Sequence, residues 1–137
     1  MGRILSIDYG LKRTGIAVSD PMRIIATALE TVESAKLIPF LKAYFQKEPV
    51  DELVLGLPKR LNNTDTDMTP FVNQLAEQLR ISFPDKPLTL VDERFTSSIA
   101  LQTMIAGGMK KKDRQVKGNV DKISATIILQ DYMLTKK

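Results

Sequence analysis

The sequence predicts an α/β fold: a mixed five-stranded sheet with helices on both faces. Three observations lead there. The chain opens on two short, apolar, β-rich runs, "RILSI" and "GIAVS", joined by a turn-like "YGLKRT". Its middle holds "VDELVLGLP", whose continuous apolar run marks a strand covered on both faces. Apolar residues elsewhere recur at helical spacing, giving the order β-β-β-α-β-α-β-α-α. A hairpin-rich start followed by alternating helices and strands implies the mixed sheet.

The elements follow in order. Strands over 4–9 and 15–19 flank the opening turn, with Gly10 and Gly15 where a tight connection calls for positive φ. A third strand over 24–32, "IIATALETV", alternates imperfectly. Leu37, Ile38, Leu41, Tyr44 and Phe45 set a helix that runs to Lys47, which requires Pro39 to lie in its first turn. The buried strand covers 53–57, and "KRLNNTDTD" after it is polar loop. Thr69 and Pro70 read as an N-cap and first helical position, ahead of a stripe of Phe71, Val72, Leu75, Leu79 and Phe83. "PDKP" ends that helix and "LTLVDERF" is the fifth strand. "TSSIALQTMIAGG" reads as a short helix stopped by Gly107 and Gly108. Asn119 caps a final helix that packs Val120, Ile123, Ile127, Ile128 and Leu134. No repeat, linker or low-complexity tract divides residues 1–137, so one domain is expected.

Composition narrows the chemistry. No apolar run approaches the roughly 20 residues that cross a bilayer, and the start has no hydrophobic signal region, so no membrane partner and a cytoplasmic location are expected. There is no cysteine and no histidine. Thiol nucleophiles, zinc sites built on Cys or His, Ser-His-Asp triads and histidine acid–base steps are thereby excluded within one chain. Carboxylates, Lys, Arg, hydroxyls or a bound cation remain. With oxygen ligands only, that cation is hard: Mg²⁺, Mn²⁺ or Ca²⁺. The net charge of +4 is mild, but "MKKKDRQVKGNVDK" (109–122) concentrates six basic residues against two acids. It is either a solvated loop or a clamp for a phosphate backbone.

Three acids stand apart from the rest. Asp8 sits at the end of a strand with apolar neighbours, a place where a carboxylate needs a partner or a ligand. Glu93 ends "TLVDE", and Asp121 falls in the first turn of the last helix. Each has a plain reading: Asp121 can complement a helix N-terminus, and Glu93 can pair with Arg94. Asp92 and Glu93 alternate, so only one can face a given side of the sheet. Taken together, without His or Cys, the three look like a carboxylate cage for metal-dependent phosphodiester cleavage. Two divalent cations about 3.5–4 Å apart can activate water and stabilise the leaving oxygen without histidine.

The blocks "SIDYGLKRTGIAVSD", "ELVLGLPKRLNNT", "LVDERFTSS" and "KGNVDKISATIILQDY" resemble the signature blocks of the YqgF family, the pre-16S rRNA nucleases also described as Holliday-junction-resolvase-like. The resemblance runs the length of the chain. It implies an RNase H-like fold, a nuclease using Mg²⁺ or Mn²⁺, and a role in ribosome maturation. By position, the family's three catalytic, metal-holding acids fall on Asp8, Glu93 and Asp121. Gly10, Gly56, Leu57 and Pro58 fall where the family shapes its site. Lys12, Arg94 and Lys117 match basic family positions; Arg13 and the loop's Lys110, Lys111, Lys112 and Arg114 join them as expected phosphate contacts. Ser124 stands where alanine is more frequent. Resolvases of the wider superfamily use four acids, and a fourth is not evident here. The implied partner is nucleic acid, either pre-rRNA or branched DNA, met by a monomer or homodimer. A non-catalytic nucleic-acid platform is the alternative. An actin-like nucleotide site is disfavoured because such folds enclose nucleotide between two domains.

Overall fold

The computed structural model describes residues 2–57, 69–92 and 117–135; at 92, 117–123, 134 and 135 it describes the backbone. The strands are β1 (Arg3–Asp8), β2 (Arg13–Ser19), β3 (Ala26–Glu33), β4 (Val50–Leu57) and β5 (Leu88–Asp92). The helices are α1 (Leu37–Lys47), α2 (Thr69–Ser82) and α3 (Lys117–Thr135), with a 3₁₀ turn over Ser34–Lys36 before α1. Sheet order is β3-β2-β1-β4-β5. The first three strands form an antiparallel meander, and β4 and β5 run parallel to β1. The sheet is mixed, as expected.

Parity divides the core into two. Leu5 and Ile7 of β1, Leu53 and Leu55 of β4, and Leu88 and Leu90 of β5 face α1 and α2, where they meet Leu37, Leu41, Val72, Leu75 and Leu79. Ile4, Ala17 and Val54 face α3, where Ala125, Ile128, Leu129, Tyr132 and Met133 cover them. The central strands are therefore apolar on both faces, which is why "LVLGL" reads as one run. Each fully buried Leu or Ile contributes on the order of 1.5–3 kcal/mol. Phe45 meets Phe83 edge to face at 4.8 Å, closing the α1/α2 layer at the chain's return from α2.

Several expectations change. Phe71 is 43% exposed: the buried stripe of α2 is Val72, Leu75, Ala76 and Leu79, and position 71 lies beside it on the helix wheel. Phe83 is buried although it follows the helix rather than ending it. The last helix starts at Lys117, so Asn119 lies inside it and Asp121 is its fifth residue, one turn later than expected. Among the described residues, positive φ outside glycine falls at Arg23 (φ 60°), in the β2–β3 turn. Gly15 is a strand residue paired with Asp8. Gly10 is needed for space: a Cβ there would lie 2.5 Å from the carbonyl oxygen of Arg13. The short helix expected after the fifth strand lies outside the described residues.

Candidate nuclease site

Asp8 is the last residue of β1, half-buried, and paired across the ladder with Gly15. Its parity is that of Ile4 and Ser6, so it belongs to the α3 side of the sheet. Two contacts fix how α3 lies on that side. The Ser6 hydroxyl donates to the Ala125 carbonyl at 2.6 Å, and the Tyr132 hydroxyl donates to Glu52 Oε2 at 2.5 Å. Glu52 pairs with Ile4 across the β1–β4 ladder. Moving along β1 from Ile4 to Ser6 thus corresponds to moving back along α3 from Tyr132 to Ala125. The helix runs antiparallel to β1.

Extending that register reaches the site. Two residues of strand beyond Ser6 advance about 6.6 Å to Asp8. Four residues back from Ala125 retreat about 6 Å along the helix to position 121. The two positions come to the same level, and 121 continues the row of Ala125, Leu129 and Tyr132 that covers the sheet. Asp8 and Asp121, 113 apart in sequence, are therefore brought to one end of one face.

On β5 the same parity can be followed as far as the strand goes. Thr89 pairs with Val54, and Val91 packs with the α3 cluster, so odd positions of β5 have the parity of the α3 side. Glu93 lies outside the described residues, as do Pro58, Arg94, Lys110, Lys111, Lys112 and Arg114. One residue beyond the last β1–β4 pair, Ile7–Leu55, stand Asp8 and Gly56, and Gly56 pairs with Val91. Gly56 thus separates Asp8 from β5 without adding a side chain to that face. Among the described residues no three acidic side chains converge.

The turn after Asp8 is exposed at Leu11, Lys12 and Arg13. Lys12 ends the turn that follows Asp8, Arg13 starts β2 two residues from Asp8's partner Gly15, and Lys117 starts α3. Beneath the turn, a cleft of about 630 Å³ runs between Tyr9, Leu11 and Ser34 on one side and Leu75, Gln78 and Ile81 of α2 on the other. Sequence reasoning missed Ser34, whose backbone N–H donates to Lys12 O (3.0 Å) and whose hydroxyl donates to Gly10 O (2.5 Å). The only sign of it was a hydroxyl residue between a strand and a helix, which ordinarily reads as a cap. Among the described helices none is long and apolar enough to cross a membrane.

Comparison with known proteins identifies the family and the fold. The model of the family RuvX: Holliday junction resolvase matches residues 2–135. A protein of Phocaeicola vulgatus, provisionally named a pre-16S rRNA nuclease, is 52% identical over 141 residues, covering 100% of this chain and 99% of its own. A Flavobacterium psychrophilum protein with the same provisional name is 51% identical over 136 residues, covering 99% of each. In fold, the chain is similar to Thermus thermophilus RuvC in complex with a Holliday junction substrate. That match has a TM-score of 0.59 at 12% identity, covering 99% of this chain and 96% of that one. It is also similar to the large terminase nuclease of phage G20c, with a TM-score of 0.52 at 13% identity, covering 94% and 81%. These two likenesses identify the fold as RNase H-like.

Proposed function

This chain belongs to the RuvX family, and from that premise we propose that it is a divalent-metal-dependent nuclease acting on structured nucleic acid. The substrate we assign is the 5′ end of pre-16S rRNA, cut during ribosome biogenesis in the cytoplasm by residues 1–137 acting as one catalytic unit. The observation that carries the reading is the level match of Asp8 and position 121 on the α3 side of the sheet. Two acids so placed, with Glu93 as the third, would form an all-oxygen donor set. That chemistry suits Mg²⁺ or Mn²⁺, and no Cys or His competes for a softer metal. The bound metal would supply a Lewis acid and an activated water. A carboxylate held on the end of a central strand keeps its position better than one on a loop.

The chain's own residues do the rest. Asp8, Glu93 and Asp121 would hold the cations, and Gly10, Gly56 and Pro58 shape the site. Lys12, Arg13, Arg94, Lys110, Lys111, Lys112, Arg114 and Lys117 meet phosphates, fixing the backbone without reading bases. Branched DNA is the second reading, favoured by the matched family's description.

The test offers the purified protein two labelled substrates side by side, a 16S rRNA precursor and a four-way DNA junction, with Mg²⁺ or Mn²⁺. Metal-dependent cutting of the precursor at its 5′ side supports the assignment. Preference for the junction moves it to branched DNA, with a dimer expected because paired strands must be cut. Binding of both without cutting by metal-loaded protein would make the chain a nucleic-acid platform.

A further inference from the structure

The opening turn holds its place by an unusual route. Leu11 is 59% exposed, its two successors are exposed as well, and the cleft separates the turn from α2. Tyr9 packs against the α1/α2 core at the start of the turn, but beyond it packing does little to fix the chain. The ties come instead from Ser34, which the β2–β3 register delivers to the turn: Arg13 pairs with Glu33, so the next residue reaches back across the hairpin. Its N–H donates to Lys12 O, its hydroxyl donates to Gly10 O, and its oxygen lies 2.8 Å from Thr14 Oγ1. A carbonyl can only accept, so the single hydroxyl proton of Ser34 goes to Gly10 and Thr14 must donate to Ser34. Thr14 is fully buried, which anchors this chain of bonds in the core. Gly10 closes the other side, since only a residue without Cβ lets the Arg13 carbonyl approach.

We propose that Ser34 is a positioning residue for the nuclease site: it sets the conformation of the 9–13 turn, and hence where Lys12 and Arg13 meet the substrate's phosphates. The proposal rests on the reading that Lys12 and Arg13 bind phosphate. Ser34 itself touches neither substrate nor metal. Its three bonds span the residues that carry those two cations, and none involves a charged group.

The experiment measures binding of a labelled 16S rRNA precursor fragment at several salt concentrations, in Ca²⁺, with thermal melting followed in parallel. Ser34→Ala is expected to weaken binding about five- to tenfold, the scale of one or two net hydrogen bonds. It should also flatten the slope of log affinity against log salt, by about 0.7 for each single-strand phosphate that is no longer neutralised. Ser34→Thr keeps the hydroxyl and should restore both. In a Lys12→Ala/Arg13→Ala background, adding Ser34→Ala should cost nothing further, because the cations it positions are gone. An additive loss in that background would overturn the proposal, as would normal binding by Ser34→Ala where the double variant binds weakly. Normal binding by the double variant would overturn the phosphate reading and the positioning role with it. Should Ser34→Ala fail to fold, Thr14→Val, which removes only the third bond, is expected to give a smaller loss in the same direction. Unchanged binding by folded Thr14→Val, with Ser34→Ala unfolded, would reduce Ser34 to a structural role.

Discussion

The two hairpin turns of the sheet lie at opposite ends and are pinned by opposite means. The β1–β2 turn, at the Asp8 end, is tied by three neutral hydrogen bonds at Ser34, two donated by it and one accepted from Thr14. The β2–β3 turn, at the other end, is tied by charge. Asp20 accepts from the N–H groups of Ile24 and Ile25 at 2.7 and 2.8 Å. Arg23, in the left-handed region, reaches Gly2 O at 3.2 Å, Asp51 at 3.0 Å and Glu52 at 3.2 Å. Glu52 also accepts from Tyr132 on α3. At that end the ionisable groups are spent on one another, so they hold the fold. At the Asp8 end the bonds at Ser34 join neutral groups, so these ties on the turn survive a change of charge there. The division predicts that substitutions at the two ends separate activity from stability.

The largest expected effect is on activity. Asp8→Asn keeps the shape and removes the charge, so cleavage should fall by at least about a hundredfold, the scale of losing a principal electrostatic stabiliser. Its melting temperature should stay near the parent's. Glu93→Gln should behave alike, whereas Asp92→Asn, on the other parity of β5, should change folding more than metal affinity. Isothermal titration with Mn²⁺ beside a cleavage assay separates these outcomes. Normal metal-dependent cleavage by well-folded Asp8→Asn would break the comparison at its active end.

Next comes the opposite end, where stability should move and activity per folded molecule should not. Arg23→Ala removes the partner of Glu52, whose side chain is 16% exposed, and puts alanine at φ 60°. Partial exposure of both partners discounts the pair, and Tyr132 still donates to Glu52. A loss of about 2 kcal/mol is expected, between the exposed and buried limits. Arg23→Gly loses the same bonds without the backbone cost, so it should be more stable than the alanine variant by about 1 kcal/mol. Equal denaturant midpoints for the two would show that the left-handed backbone contributes nothing.

The ends also differ in how legible they are in the sequence. Strand and helix types, the bounds of α1 and the special standing of Asp8 follow from apolar periodicity and from an acid in an apolar strand, both local signals. The matching of Asp8 with position 121 is suggested by resemblance and needs the Ser6–Ala125 and Glu52–Tyr132 contacts to give it a level. Arg23 is invisible for a physical reason. Glycines adopt positive φ without cost, so sequence alone points to them, whereas here a guanidinium bound to three partners and a carboxylate holding two amides outweigh the steric cost. Gly10 matters for a reason the sequence does not carry, since crowding by Arg13 O depends on how the turn folds back. Asn119 fails as a cap because Gly118 beside it looks like a boundary, while the helix continues through it to Lys117.

The smallest effect sharpens the comparison through pH. The Asp20 carboxyl is held below its ordinary 3.8, first by the Ile25 N–H, and Asp51 is held below its ordinary value first by the Gly2 N–H. A carboxyl with a depressed folded pKa contributes stability that is fully present above the unfolded value and is lost as pH falls through the folded one, because the unfolded chain then binds more protons. Stability should therefore decline below pH 3.8. At neutral pH Asp20→Asn should be less stable than the parent, because its amide oxygen still accepts from Ile24 and Ile25 but without the charge that strengthens both bonds, and the two proteins should converge as pH falls. Below pH 3.8 the variant has no proton to take up at this position, so its acid limb should be shallower than the parent's. Asp51 retains its own contribution, so the limb should not vanish. Urea midpoints measured from neutral pH downward make the comparison directly. Superimposable acid limbs for parent and Asp20→Asn would mean that the turn's carboxylate does not hold the fold by its charge, and that the division between the two ends rests on Arg23 alone.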